Sequence, residues 1–392
     1  MKEVVIVSTA RTPFGKFGGG LKSLKASDLG GLAIKEALSR AGISGDQVDE
    51  VVYGTVLAAG QGQVPGRQAS VKGGIPHTVP VVTINKVCGS ALKAVTLGAQ
   101  IIKAGDADII VAGGMESMSN APYLTNGMRW GSRMNDVVMK DAMVLDGLWC
   151  PENDVHMAVI GGSVAGEYGV TREMQDEWSY RSQKLWAEGE AKGAFDEERF
   201  PVEVVGRKGK VTVVDKDEAP RPDTTMEGLA KLPVLFTKDG TITAGNAPGT
   251  NDGASAVVIM SREKAEELGV TILATIKGYA QASRESRYIA TVPGLAIQKL
   301  MEKNNLTLDD FDVMEINEAF AAVPLVSCLG ILGMDKETMD EKVNVNGGAV
   351  AVGHPIGATG ARILMTMIYE LKRRGKKSGV CAICSGMAQG DA

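Results

Sequence analysis

The chain has 392 residues, 44% of them hydrophobic and 23% charged, enough to bury a large core divided among two or three domains. A net charge of −5 with both signs scattered leaves no basic stripe for nucleic acid and no polybasic patch for an anionic membrane, and no apolar run approaches the roughly 18 residues that a membrane span requires. Five cysteines, an odd number spread along the chain, fit a reducing compartment better than a disulfide framework, so a cytoplasmic location is expected.

Val4-Val5-Ile6-Val7 enters a strand at once, and no signal peptide is expected ahead of it. An amphipathic helix around Leu32–Ala37, a polar turn and the strand Val51-Val52-Tyr53 come next. This unit recurs: Ala33-Ile34-Lys35 reappears as Ala296-Ile297-Gln298, and Asp46 and Asp49 fall at the same offset on Asp309 and Asp312. The strand Val81–Ile84 then breaks at Lys86-Val87-Cys88-Gly89-Ser90, where a helix running to Lys103 begins. A cysteine on such a turn is either a small core residue or a nucleophile. The helix N-terminus favours the thiolate, so a Cys88 pKa below the free value of about 8.5 is expected. A strand over Asp108–Gly114 completes the unit.

From about 120 to 245 the alternation lapses. The stretch holds all four tryptophans, Trp130, Trp149, Trp178 and Trp186, and eight of the 18 methionines lie between Met115 and Met174. It reads as soft packing in a loop-rich insertion or as an adaptable wall for an apolar substrate. The expected division is 1–119, an insertion over 120–245 near whose end the first half can resume, and 246–392.

In the second half the strand Val313–Ile316 ends on Asn317-Glu318-Ala319-Phe320, where the first copy has Gly54-Thr55. Polar side chains in one copy only point to function; an N-cap Asn with a surface Glu is the plainer alternative. Val343–Asn346, a helix from near Gly357 to Leu371 and the strand Gly379–Cys384 echo the Cys88 segment. Such alternation implies an α/β fold of mixed, largely parallel sheets covered by helices, with reactive groups beyond strand ends. Of three histidines, His77, His156 and His354, the last sits in a glycine-rich loop as a proton shuttle or a turn-capping residue. Cys381 and Cys384 face opposite sides of a strand and lack further ligands at zinc-site spacing, so no metal is expected. Cys384 precedes Ser385-Gly386-Met387, read as a flexible turn whose N–H groups can stabilise an anion.

Arg11-Thr12-Pro13-Phe14, Gly66-Arg67-Gln68-Ala69, Asn85-Lys86-Val87-Cys88-Gly89-Ser90, Gly113-Gly114-Met115-Glu116-Ser117-Met118-Ser119, Asn317-Glu318-Ala319-Phe320 and Gly353-His354-Pro355 occur in an order that resembles the thiolase family, the acyltransferases that make or split 3-ketoacyl-CoA. The resemblance covers almost the whole chain. It implies a duplicated five-layered α/β/α/β/α fold with an inserted loop domain, and a homotetramer built as a dimer of dimers. It further implies that Cys88 carries the acyl group, His354 moves the proton and Cys384 handles the α-proton of the second acyl-CoA. Asn317 with a water on His354, and the backbone N–H groups of Cys88 and Gly386, would form two oxyanion sites. By the same resemblance Arg221 lies near the adenine, His156 and Ala247 line the pantetheine tunnel, and Leu148, Met157, Phe236 and Phe320 shape the acyl end.

The implied reaction joins two acetyl-CoA into acetoacetyl-CoA and CoA, reversibly, with the CoA thioesters as substrates and no separate cofactor. The alternatives are a degradative 3-ketoacyl-CoA thiolase of broader chain length and a CoA-binding scaffold that does not condense. A Cys88–Cys384 disulfide offers redox control. Departures from the family pattern include Pro248 for a serine at the pantetheine arm, Ile289-Ala290-Thr291-Val292-Pro293 for Met-Gly-x-Gly-Pro, Ala91 for a glycine, and Met387 and Ala388 for glycines. The sequence stops at Asp391-Ala392, before the closing strand expected after this loop, which puts the edge of the C-terminal sheet in question.

Overall fold

The computed structural model describes residues 2–392. The first half runs through strand β1 (Val4–Arg11), helix α1 (Ala26–Ala41), strand β2 (Glu50–Gly54), helix α2 (Pro65–Lys72), strand β3 (Val81–Ile84), helix α3 (Ser90–Ala104) and strand β4 (Ile109–Ser117). Helix α4 (Arg172–Ala191) belongs to the insertion. Beyond it come strands β5 (Asn251–Ser261), β6 (Ala274–Thr275) and β7 (Gln281–Ser283), helix α5 (Val292–Asn304), strand β8 (Val313–Ile316), helix α6 (Thr359–Arg374) and strands β9 (Gly379–Ser385) and β10 (Gln389–Asp391).

These elements stack in five layers. One sheet is ordered β6-β1-β5-β4-β2-β3 and the other β7-β10-β9-β8. Leu29, Ala33, Ile34, Ala37 and Leu38 recur at helical spacing on α1 and bury one stripe against Val5, Val7 and Val258 of the first sheet. On the far side, α5 lays Ala296, Ile297 and Leu300 on the second sheet with Met314, Ile316 and Ala382. Between the sheets, Leu92, Val95, Ala99 and Ile102 of α3 and Ile363, Leu364 and Met367 of α6 share one core with Ile110, Ile259 and Ile383. Burial of every residue of α6 from Thr359 to Glu370 follows from its place in the middle layer, where no face is left for water until the exposed last turn. The duplication read from the sequence is therefore structural: α1 and α5, and likewise β2 and β8, hold equivalent places.

Four expectations are corrected. First, the sheets are not largely parallel. Pairs β2–β3, β2–β4 and β8–β9 are parallel, but β1–β5, β5–β4, β9–β10 and β7–β10 are antiparallel. Strand β5 arrives from the insertion and β10 from a hairpin, so neither passes through the helical crossover that makes neighbours parallel. Second, a boundary at 245/246 cuts through the first half, because β5 pairs Asp252 with Ser117 and Ser261 with Val4 at the centre of the first sheet. Third, the edge of β9 in question is covered near its end by β10, which pairs Gln389 with Ser385 and Asp391 with Ile383, and joins β7 on its other side. Fourth, the segment Val343–Asn346, expected as a strand, makes only the isolated bridges Met314↔Val343 and Val345↔Gly347. No helix among the described residues is long and apolar enough to cross a membrane.

Candidate active site

The turn after β3 is built by its own polar side chains. Asn85 Oδ1 accepts from Val87 N (2.9 Å), while Ser90 Oγ accepts from Lys86 N (2.9 Å) and donates to Val87 O (2.7 Å). Together they hold Val87 at φ 45°, a left-handed conformation that costs a β-branched residue on the order of 1–3 kcal/mol. The strained turn presents Cys88 just ahead of α3, on the wall of a cavity of about 260 Å³ that it shares with His354 and Gly386. Its thiol is pushed up to about 12 by burial, with a smaller contribution from the nearby Glu116 carboxylate. This reverses the expected thiolate: the desolvation of a thiol set in an apolar wall outweighs the pull of the helix end.

The second half is stapled to this turn. Gly89 N donates to Ser385 Oγ (3.2 Å), Ser385 Oγ donates to Lys86 O, and Lys86 Nζ reaches Asp391 Oδ1 at 2.8 Å. The residue before Ser385 is Cys384, which is fully buried; burial first, and then the neighbouring Cys88 sulfur, push its thiol well above the ordinary value. The turn that follows is not flexible, as expected from its residues, but pinned. Ala388 is buried and its carbonyl accepts from Arg284 N (3.0 Å), and a Cβ on Gly386 would come within 3.1 Å of Val87 Cγ2.

His354 lies in the loop between the short helix Ala349–Val352 and α6. Asn251 Oδ1 accepts from its backbone N–H (2.9 Å). Its Nδ1 is 2.7 Å from Thr359 Oγ1, and that hydroxyl donates to Pro355 O (3.0 Å). A hydroxyl that has spent its proton can only accept, so the network assigns the imidazole hydrogen to Nδ1 and leaves Nε2 as a buried base without a protein partner. Burial, and then the charge of Arg362, lower the imidazole to about 3. At neutral pH the site thus rests as thiol and neutral imidazole. Asn317 ends β8, with its backbone N–H on Ala382 O (2.9 Å), and both polar atoms of its amide are buried without a protein partner.

The remaining sequence-derived residues line two connected spaces. His156, Ala247, Leu148, Met157, Phe236 and Phe320 surround the inner cavity with Cys88 and His354. Arg221 stands apart, in an outer cleft of about 800 Å³ that meets the inner cavity at Leu235, Ala247, Pro248, Gly249 and Thr250. His156 Nδ1 accepts from Ala158 N (3.1 Å) and its ring stacks on Phe236 at 4.0 Å, so its hydrogen is on Nε2. Cys384 and Asn317 are not among the residues lining either space. A further cleft of about 590 Å³, near Ile6, Leu273 and Cys381, holds none of the candidate residues. Sequence reasoning missed Thr359, which fixes the tautomer, and the cavity residues Met118, Leu235 and Ile356. Thr359 had a signal, a hydroxyl one helical turn beyond Pro355; the apolar three had none.

Comparison with known proteins gives matches to the family models for the thiolase N-terminal domain over residues 4–263 and the thiolase C-terminal domain over 270–392. The chain is 50% identical to an acetyl-CoA acetyltransferase of Cupriavidus necator, over 100% of this chain and 98% of that protein, and 48% identical to one of Syntrophomonas wolfei at the same coverage. Among solved structures it is similar to the Bacillus anthracis acetyl-CoA acetyltransferase (TM-score 0.96, 40% identity) and to human mitochondrial 3-ketoacyl-CoA thiolase (TM-score 0.94, 38% identity), covering 100% of this chain and 98% of each.

Proposed function

Because the chain belongs to the thiolase family, we propose that it is an acetyl-CoA acetyltransferase, joining two acetyl-CoA into acetoacetyl-CoA and CoA through an acetylated Cys88. The observation that carries this reading is a thiol and an imidazole with a free Nε2 on one small apolar cavity, which meets an outer cleft of about 800 Å³ at Leu235, Ala247, Pro248, Gly249 and Thr250. In the first half-reaction Cys88 Sγ attacks the thioester carbonyl as its proton passes to His354 Nε2, and the departing CoA sulfur takes that proton. Neither group needs to be charged beforehand, in keeping with the shifts of both.

In the second half-reaction Cys384 gives its thiol proton to His354 and takes the α-proton of the second acetyl-CoA. The carbanion forms a carbon–carbon bond to the acetyl carbonyl, the Cys88 sulfur leaves, and His354 returns the proton to it. Negative charge develops on a thioester oxygen each time. The Asn317 amide, through a water on His354, answers one oxyanion, and the backbone N–H groups of Cys88 and Gly386 answer the other. Losing one such donor typically costs roughly 10²–10³ in rate. His156 and Ala247 hold the pantetheine arm, Arg221 the nucleotide end, and Leu148, Met157, Phe236 and Phe320 the acyl group.

The small inner space, narrowed by Ile289 and Phe320, favours a two-carbon acyl group over the longer chains of a degradative enzyme. The protein works in the cytoplasm, consistent with five unpaired cysteines, and assembles as a tetramer through the exposed apolar side chains of the insertion, Trp130, Met134, Val138 and Met139. Intact-mass measurement after incubation with acetyl-CoA tests the reading. One acetyl group per chain is expected, and none in Cys88→Ala; an unmodified parent protein would reject it.

A further inference from the structure

One buried carboxylate takes no part in the chemistry above, yet it joins the two halves beside it. Glu116, near the end of β4, is fully buried and has both oxygens occupied. Oε1 accepts from Thr55 Oγ1 (3.2 Å) and Leu57 N (3.1 Å); Oε2 accepts from Val56 N (3.0 Å) and Gly357 N (3.1 Å). The first three of these donor residues form the turn after β2, and the fourth lies in the loop that carries His354. That loop rests directly on β4: a Cβ on Gly114 would fall 2.0 Å from Gly357 O, and one on Gly357 would fall 2.7 Å from Glu116 Oε2. The other side of the clamp reaches the nucleophile, since Val56, Leu57 and Ile356 pack in one cluster with Val87 and Cys88.

We propose that Glu116 is a positioning residue, whose carboxylate locks the His354 loop of one half onto the Cys88 side of the other. Four N–H and O–H dipoles converge on it from two segments, the turn Thr55–Leu57 and the loop at Gly357, and a buried carboxylate so placed fixes direction as well as distance. Gly357 stands between His354 and Thr359, so releasing its N–H loosens both the imidazole and the hydroxyl that sets its tautomer. The kinetic consequence rests on the thioester reading above; the clamp itself does not.

Two variants separate positioning from mere support. In Glu116→Gln the carbonyl can keep Val56 N and Gly357 N while the amide turns toward Thr55, whose hydroxyl can accept, so only Leu57 N is lost. In Glu116→Ala every donor is stranded. The expected kcat is within about fivefold of the parent for Glu116→Gln and lower by about a hundredfold for Glu116→Ala, with the KM for acetyl-CoA changed less than about twofold. Hydrogen exchange without substrate should quicken at Ile356–Ala358 in Glu116→Ala and stay at the parent rate in Glu116→Gln. If the parent turns over and Glu116→Ala keeps its kcat, or Glu116→Gln is as damaged as Glu116→Ala, the proposal is overturned. Unchanged exchange in Glu116→Ala overturns it as well. The expected exchange pattern in a parent that does not turn over acetyl-CoA would uphold the clamp and reject the thioester reading instead. Should Glu116→Ala fail to fold, Glu116→Asp, one methylene too short to span both donor sets, takes its place under the same expectations.

Discussion

Which atoms are left free decides the chemistry at the level of single residues. Thr359 occupies His354 Nδ1 so that Nε2 is the only base the ring presents. Thr359→Val would strand Nδ1–H in the interior and permit the wrong tautomer; kcat should fall about tenfold or more with little change in KM, and a kcat equal to the parent's would contradict the assignment. With the Cys88 thiol pushed up to about 12, its thiolate fraction grows with pH throughout the range in which the protein is handled. Alkylation of Cys88 by iodoacetamide in the free enzyme should therefore rise about tenfold per pH unit from about 7 to 10 without levelling. A plateau near pH 8 would show an activated thiolate instead. That Cys88 and His354 meet at one cavity was legible because each sits in a turn or loop beyond a strand, where a folded chain gathers polar groups, whereas Asn317 lines neither space. The direction of the Cys88 shift was not legible: the helix start is local, whereas the apolar wall and Glu116 that raise the thiol come from distant segments.

The β9–β10 hairpin shows an element whose residues disagree with its backbone. Met387 (φ 59°) and Ala388 (φ 47°) both adopt the left-handed conformation that the thiolase resemblance assigns to glycines, and the pairing of Ser385 with Gln389 leaves the turn no room to relax. Met387 is half exposed and packs little, so Met387→Gly should relieve about 1–2 kcal/mol of strain against about 0.5–1 kcal/mol of added chain entropy. A thermal midpoint raised by about 1 °C is the expected result, and a lowered one would mean that the methionine side chain holds the turn. The same hairpin explains a misreading: its composition looked loose, but flexibility is set by what a turn packs against, here Val87 and Arg284. Helices were read well because their apolar stripes are local. Strand directions were read less well, since β5 owes its partners to residues more than a hundred positions away.

At the scale of the whole molecule, the exposed side chains of Trp130 and Met134 mark a surface that a lone chain would leave to water. Light scattering should return the mass of four chains. Trp130→Glu with Met134→Glu should reduce it to two while sparing the KM for acetyl-CoA, because neither residue lines the inner cavity; a single-chain mass for the parent would rule the assembly out. Strand β5 has a consequence for biosynthesis. It fills the centre of the first sheet, between β1 and β4, but is encoded well over a hundred residues after β4 ends. At translation rates of roughly 5–20 residues per second, the ribosome needs on the order of ten seconds to deliver it. Throughout that interval the nascent polypeptide carries two unpaired sheet edges facing each other across a gap, a period in which a holdase has something to protect.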